Sequence, residues 1–568
     1  MKLVFDIEGN ALLEVTQPKQ KSKPLQKEAT KVWCVCCLDI DTNETYNFKP
    51  NEIDSAVRLL RQADLLIGHN IIEYDIPLLE RLHGPIETDV FDTLIVSRLK
   101  YPDIQNHPFG GNSLDSWGYH LGNEKIEYKD GFDSFNQNMF KYCKQDVQVN
   151  ALVYKELKDF ADKNPGPVRL EHDVARIIAR QTANGISFDL HGANQLEQDL
   201  SIEKADLYDK LCASFPPIAE EQRYHKTTGK PLKRNIEHFN PTSGPQIARR
   251  FGEKYNQKFD LSDKDNPVVT TEVLKKLKYP EAKLILDYRA IDKITQQLTD
   301  WRGRAALSRD GRIHGSVNTQ GCVTGRMSAS QPNLQQVNGD PRARRLFMPR
   351  KGWVQVGIDA SGLEARILAN RLYRWDNGKY ATEVLEGDVH TANQKAMALS
   401  SRADAKQFLY ALVFGAGDEK MGKIVGGDVH AGRKAKEMFF KANPAFLQLL
   451  ENVKFQVAKK GTVQLLDKRE VPCRSEHKAL NLQIQGDGAV LMKVALRDFY
   501  NKLMDMFEGQ CAFMATVHDE WQVECDPAIA DMVGKLGVSC IEIAGQELGC
   551  SVAMSGEYKI GKDWSECH

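Results

Sequence analysis

Residues 353–366 read WVQVGIDASGLEAR. Trp353 to Ile358 carry the aromatic and β-branched residues of a strand, and Asp359 ends it. Ser361-Gly362-Leu363-Glu364 then opens a helix, with Ser361 and Glu364 spaced as a capping box. Glu364 has two readings of equal weight here, a cap and a functional carboxylate. A second stretch lies far along the chain. CAFMATVHDEWQVEC, residues 511–525, predicts a hairpin with His518, Asp519 and Glu520 at its tip, then a helix. Acidic residues are ordinary in turns. An apolar hairpin with such a tip would nevertheless deliver Asp519 beside Asp359. Two aspartates can hold two Mg2+ ions and align a 3′ hydroxyl with an α-phosphate.

Between these stretches Arg402, Lys406, Tyr410 and Phe414 recur every four residues, so they share one stripe of a helix. The bland reading is two solvated cations followed by two buried rings. The functional reading is cations for a triphosphate and rings for a sugar and base. Gly415-Ala416-Gly417 gives the helix a natural end.

The chain opens with a second acidic pattern. In Phe5-Asp6-Ile7-Glu8 the carboxylates stand two apart on a predicted strand and share a face. Asn70, Tyr74 and Asp75 follow in HNIIEYD, and Tyr142 and Asp146 lie one helical turn apart in YCKQD. Each piece alone reads as a solvated face or a cap. Together Asp6, Glu8, Asp75 and Asp146 supply ligands for two hard cations, and Tyr142 could orient an attacking water.

The 568 residues suggest roughly three to four folding units. Charged residues are 27% and the net charge is −1, which excludes a uniformly basic coat for nucleic acid but not local basic stripes. No apolar run approaches a membrane span, and no membrane partner is expected. MKLVFDIEGN has no targeting features, so a cytoplasmic setting is expected, that of the host if a phage encodes the chain. The 12 cysteines include Cys34, Cys36 and Cys37, which lack zinc spacing and read as buried, reduced thiols. Two polar stretches, Thr16–Lys31 and Ser214–Glu237, read as solvated loops, the second equally as a duplex contact. Arg342, Arg344, Arg345 and Arg350 form a basic cluster; a salt-bridged turn is the bland reading, and phosphate contact is the expected one because the cluster follows QPNLQQV.

DASGLEAR, RADAKQFLYALVFGAG and VHDE resemble the A, B and C motifs of family A, polymerase I-like DNA polymerases. The three acidic pieces near the start are similar to the motifs of proofreading 3′–5′ exonucleases. The closest look is to replicative polymerases of short-tailed phages. The resemblance implies an α/β and α+β multidomain chain. A ribonuclease-H-like exonuclease at 1–163 precedes a right-hand polymerase. Its expected parts are a helical thumb at 168–300, palm at 301–385, fingers at 386–474 and palm again at 475–568.

The resemblance further implies that Asp359 and Asp519 hold catalytic Mg2+, two per active site with Mn2+ as a substitute, and that Glu520 supports them. Arg402, Lys406 and His390 would grip the triphosphate. Tyr410 would stack near the incoming sugar, and its hydroxyl implies ready use of dideoxynucleotides. Glu364 would pair with Tyr410 and fill the space of a ribose 2′-OH. Arg326, Gln335, Gln485 and His518 would touch primer-template, and Phe414, where the family commonly has Tyr, would stack on the template base. Partners would be primer-template DNA, dNTPs and a replisome helicase or primase. Host thioredoxin is not expected, since the 214–237 stretch is too short for its docking insertion. A single-subunit RNA polymerase and a repair or lesion-bypass polymerase of the same family remain alternatives.

Overall fold

The computed structural model describes residues 1–15, 28–219, 229, 236–397 and 399–568. Most of the two polar stretches, 16–31 and 214–237, lies outside the described residues. The chain divides into two compact units. The first comprises Met1–Ser187, Leu307–Gln336 and Met348–His568; the second comprises Phe188–Ala306 and Val337–Phe347.

The first unit holds two large sheets. Strands β1 (Lys2–Gly9), β2 (Val32–Asp39), β3 (Thr45–Phe48), β4 (Leu65–Gly68) and β5 (Val90–Asp92) form one, in the order β3-β2-β1-β4-β5. β1 runs antiparallel to β2 and parallel to β4. Alternation sorts its side chains. Leu3, Phe5 and Ile7 enter one core with Val35 and Cys37, while Val4 enters another with Cys34 and Cys36. Around this sheet lie helices α1 (Asp75–His83), α2 (Thr93–Lys100) and α3 (Gln137–Lys163), followed by α4 (Pro165–Asn184). α3 covers the Val4 face through Met139, Phe140, Cys143 and Val147. Asp6 and Glu8 continue the Val4 face, so they look toward α3. The breaker KNPGP separates α3 from α4, with Pro165 at a first helical position that needs no N–H partner.

The other sheet is antiparallel. Its strands are β6 (Val354–Ala360), β7 (Cys511–Val517), β8 (Glu520–Cys525) and β9 (Gly556–Gly561), ordered β7-β8-β6-β9. The expected hairpin therefore forms and pairs with the strand that ends in Asp359. Helices α5 (Leu363–Asp376), α6 (Val389–Met397), α7 (Arg402–Val413), α8 (Ala479–Phe507) and α9 (Ala530–Glu547) complete this half. Phe499 of α8 stacks on Trp521 of β8 with ring centroids 5.4 Å apart. The final residues lie against the middle of β6, where a Cβ on Gly357 would meet the Cys567 carbonyl oxygen at 2.1 Å. Among the described residues no helix is long and apolar enough to cross a membrane.

The second unit is helical, with Leu190–Ser214, Gly244–Tyr255, Thr271–Lys276 and Pro280–Leu307. Phe215, Phe239, Ile247, Phe251 and Ile285 are buried together there. Within it Arg342 pairs with Asp340 at 2.9 Å and Glu203 at 2.8 Å. In the first unit Arg350 pairs with Glu524 at 2.7 Å and caps the Trp353 ring at 4.1 Å. These two arginines thus follow the salt-bridged reading of the basic cluster.

Candidate active sites

The first centre lies between β1 and α3. β1 presents Asp6 and Glu8, α1 begins with Asp75, and α3 supplies Tyr142 and Asp146 one turn apart. The Asp75 Oδ1 accepts a hydrogen bond from the Ile7 amide at 3.1 Å, which locks α1 to β1. Asn70 adopts the left-handed region, with φ of 71°, and its amide donates to Asp92 Oδ1 at 2.9 Å. That turn aims Tyr74, whose hydroxyl donates to the Ala11 carbonyl at 2.9 Å. The expected acids therefore come together.

Their electrostatics are those of a site built for cations. Burial first, then Asp146, Glu8 and Asp75, hold the Asp6 carboxyl well above its ordinary range. Burial, Cys34 and the charges of Asp146 and Asp75 push Glu8 up to about 9. Burial lifts Asp75 to about 7 despite its amide bond. Asp146 is 4% exposed, and its Oδ1 has no hydrogen-bond partner. Its Oδ2 pairs with Lys125 at 2.6 Å, and Lys125 also lies 4.7 Å above the Tyr142 ring. Lys125 was not legible in the sequence, where it is one lysine in a long irregular stretch. Four crowded carboxylates and one lysine fit divalent cations.

The second centre sits on the antiparallel sheet. Asp359 is half-buried near the end of β6, and Asp519 lies in the β7–β8 turn. The Ala360 amide donates to the Asp519 carbonyl at 3.1 Å, so the two aspartates are held side by side. Burial, then Asp519, Glu520 and Glu557, raises Asp359 to about 7. Glu520 is 3% exposed and fully employed. Trp564 Nε1 and the Gln522 side-chain amide donate to its Oε1, and His568 Nδ1 lies 2.6 Å from its Oε2.

One expectation needs correction. Ser361 and Glu364 form no capping box: Gly362, with φ of 59°, is the N-cap of α5, and no side chain bonds there. With glycine at the N-cap there is no side chain to accept from the first amides, and Ser361 stands one position outside the cap. Glu364 Oε1 instead accepts from Arg326 Nη2 at 2.8 Å. Tyr410 is its neighbour, for burial and the Glu364 charge together raise the Tyr410 phenol.

α7 carries the expected stripe, and it faces solvent. Arg402 and Lys406 are exposed, and Tyr410 and Phe414 are 36% and 44% exposed, so the bland reading of buried rings does not hold. Phe414 is the C-cap of α7. Gly415 follows with φ of 73°, and a Cβ there would meet the His477 carbonyl oxygen at 2.0 Å. Arg402 forms a two-pronged pair with Asp388, at 2.6 and 3.1 Å, a partner that no motif announced. His390 is placed on α6, but its side chain lies outside what is described. Arg326, Gln335, His518 and Asp519 line one small cavity of about 50 Å3. Gln485 is half-buried on α8 and does not line it.

An antiparallel sheet that presents paired aspartates, together with a helix that carries an exposed cationic stripe, suits phosphoryl transfer. The sequence profile of DNA polymerase family A matches residues 219–566. The chain is 31% identical to the DNA-directed DNA polymerase of Escherichia phage T7 and 30% identical to that of Enterobacteria phage T3. Both comparisons run over 717 aligned positions and cover the whole of each chain. The POL domain of Pol1 from M. smegmatis, solved with DNA primer-template and dNTP, shares the fold. Its TM-score is 0.77 at 18% identity, over 94% of both chains. The chain belongs to DNA polymerase family A.

Proposed function

We propose that this DNA-directed DNA polymerase works with two separate divalent-metal centres, one for synthesis and one for 3′–5′ proofreading. Asp359 and Asp519 would hold cations for synthesis, and Asp6, Glu8, Asp75 and Asp146 would hold those for hydrolysis, with Mg2+ the physiological ion. When bound, the cations activate the attacking oxygen and neutralise charge on the phosphate and leaving oxygen. Arg402 and Lys406, with His390, would exchange solvent and Asp388 for the incoming triphosphate. Tyr410 and Phe414 would pack on the incoming nucleotide and the template base. Arg326, Gln335, His518 and Gln485 would follow the primer-template, as the fold shared with a primer-template complex supports. Glu520 is a positioning residue, since its oxygens serve the hairpin and the final residues. Tyr142 would orient the water that attacks a frayed 3′ end.

The observation that carries the exonuclease reading is the convergence of four carboxylates on the β1–α3 face, with one buried Asp146 oxygen unpartnered. The segments 1–163, 168–300, 301–385, 386–474 and 475–568 are assigned to exonuclease, thumb, palm, fingers and palm. Replication of a phage genome is the setting supported by full-length relatives in T7 and T3. The test is a chain with both Asp6→Ala and Glu8→Ala, given a 5′-labelled primer with a mispaired 3′ end. It should extend paired primers in Mg2+ and dNTPs, yet leave the mispaired end untrimmed. Trimming at the parent rate would overturn the reading.

A further inference from the structure

The face of β1 that carries Asp6 and Glu8 also gathers sulfur. In the β1–β2 register Cys34 stands opposite Glu8 and Cys36 opposite Asp6. Directly opposed residues on one face have Cβ atoms about 4.5–5.5 Å apart, so each carboxylate has a thiol beside it. α3 brings a third thiol from above. The Cys143 Sγ donates to the Asp6 carbonyl oxygen at 3.3 Å. One carboxylate oxygen of Asp6, one of Glu8 and the Cys143 Sγ all lie within 4.8 Å of one another. Cys34, Cys36 and Cys143 are 0%, 1% and 0% exposed and share one core cluster. The unpartnered oxygen of Asp146, one turn along α3 from Cys143, independently marks this space as one that wants a cation.

We infer that this centre is a mixed oxygen–sulfur site that binds a thiophilic divalent cation, Zn2+ or Cd2+, through Asp6, Glu8 and the Cys143 thiolate. The inference deepens the reading of the β1–α3 face as a metal centre and rests on it. Mg2+ prefers oxygen ligands, whereas Zn2+ and Cd2+ gain from a thiolate. On binding, the S–H bond breaks, a metal–sulfur bond forms, and the proton leaves to solvent. Cys34 and Cys36 keep water from the sulfur side. The other centre is different in kind, because the groups that act on Asp359 are Asp519, Glu520 and Glu557, all oxygen. A thiophilic cation therefore fills the β1–α3 centre at lower concentration than it fills the Asp359–Asp519 centre. Cys34-x-Cys36 has no zinc spacing, and the third thiol comes from more than a hundred positions away, so sequence spacing could not show this.

The test is a Cd2+ titration of the full chain with exposed Cys322 replaced (Cys322→Ser), read as thiolate-to-metal absorbance in the ultraviolet. The expected result is a saturable band of one Cd2+ per chain. It should vanish in Cys143→Ser and shift to higher Cd2+ when excess Mg2+ competes for Asp6 and Glu8. Primer extension by Cys143→Ser checks that the variant is folded; if it fails, Cys143→Ala and the Mg2+ competition in the parent chain serve instead. No saturable band, a band that persists at full amplitude without Cys143, or indifference to Mg2+ would overturn the inference. Mg2+-dependent trimming of a mispaired primer is measured on the same parent sample. Its absence would sink the exonuclease reading, while the absorbance still decides the sulfur ligand.

Discussion

Glu364 is held by Arg326 and not by the amides of its own helix. That contact separates two roles the sequence left equal. With no cap bond to lose, Glu364→Ala should cost no more than about 1 kcal/mol, the scale of a partly exposed ion pair with Arg326. If the carboxylate fills the space of a ribose 2′-OH beside Tyr410, the same change should raise ribonucleotide use roughly tenfold, the scale of a small steric gate. Single-turnover incorporation of dNTP against NTP, alongside a thermal melt, measures both. Unchanged sugar selection would remove Glu364 from the specificity site. At this scale the motif acids were legible in sequence because carboxylates meant for a hard cation must share a face, and their spacings put them on one. Lys125 and Asp388 were not, because an ion pair needs only one charge at the right distance, and any loop can bring it.

Elements inherit chemistry from the residues they carry. β1, α1 and α3 are pressed together across four carboxylates. In the metal-free chain Glu8 holds its proton up to about 9 and Asp75 up to about 7, against ordinary values of 4.5 and 3.8. Between those limits the folded state binds more protons than the unfolded chain. Metal-free stability must therefore fall as pH rises across roughly pH 5 to 9. A bound divalent cation replaces those protons. Melting temperature in chelator should drop from pH 6 to pH 9, and the gap to a Mg2+-loaded sample should widen over the same range. A gap independent of pH would mean that the carboxylates do not meet the cation.

The elements themselves were largely readable. The strand that carries Asp359 and the acidic hairpin read as apolar runs bounded by turns and are buried almost throughout, while the α7 stripe repeats every four residues on one exposed face. The α5 start stayed open in the sequence because a glycine in the left-handed region can begin a helix without any side-chain cap, and spacing alone does not reveal φ. The pairing of β6 between β8 and β9 was not readable, since strand order depends on contacts far apart in the chain.

At the scale of the first unit, the two halves are tied by charge. Glu171 of α4 is buried and accepts from Lys493 of α8 at 2.8 and 2.7 Å and from Arg469 at 2.6 Å. Arg474 pairs with Asp103 and Gln105, and Arg98 donates to Asn318 at 3.0 Å. Burial alone would raise the Glu171 carboxyl, but Lys493 and Arg469 hold it below its ordinary range. Glu171→Gln would leave Lys493 buried without a counter-charge, a change of about 3–5 kcal/mol. Denaturant unfolding should show that loss, and adding Lys493→Met should recover most of it. A loss below about 1 kcal/mol would mean that water or a neighbour already shields the lysine.

The strand that bears Asp359 is flanked by β8 and β9, which lie more than 150 positions further along the chain, with residues 564–568 laid over Gly357 and Glu520. The four carboxylates of the first centre, Asp6 to Asp146, therefore all precede in the chain the strands that flank Asp359. A fragment cut before β7 would keep the four carboxylates of the first centre and lose the Asp359–Asp519 pair, and bulk joined to His568 would press on the β7–β8 hairpin.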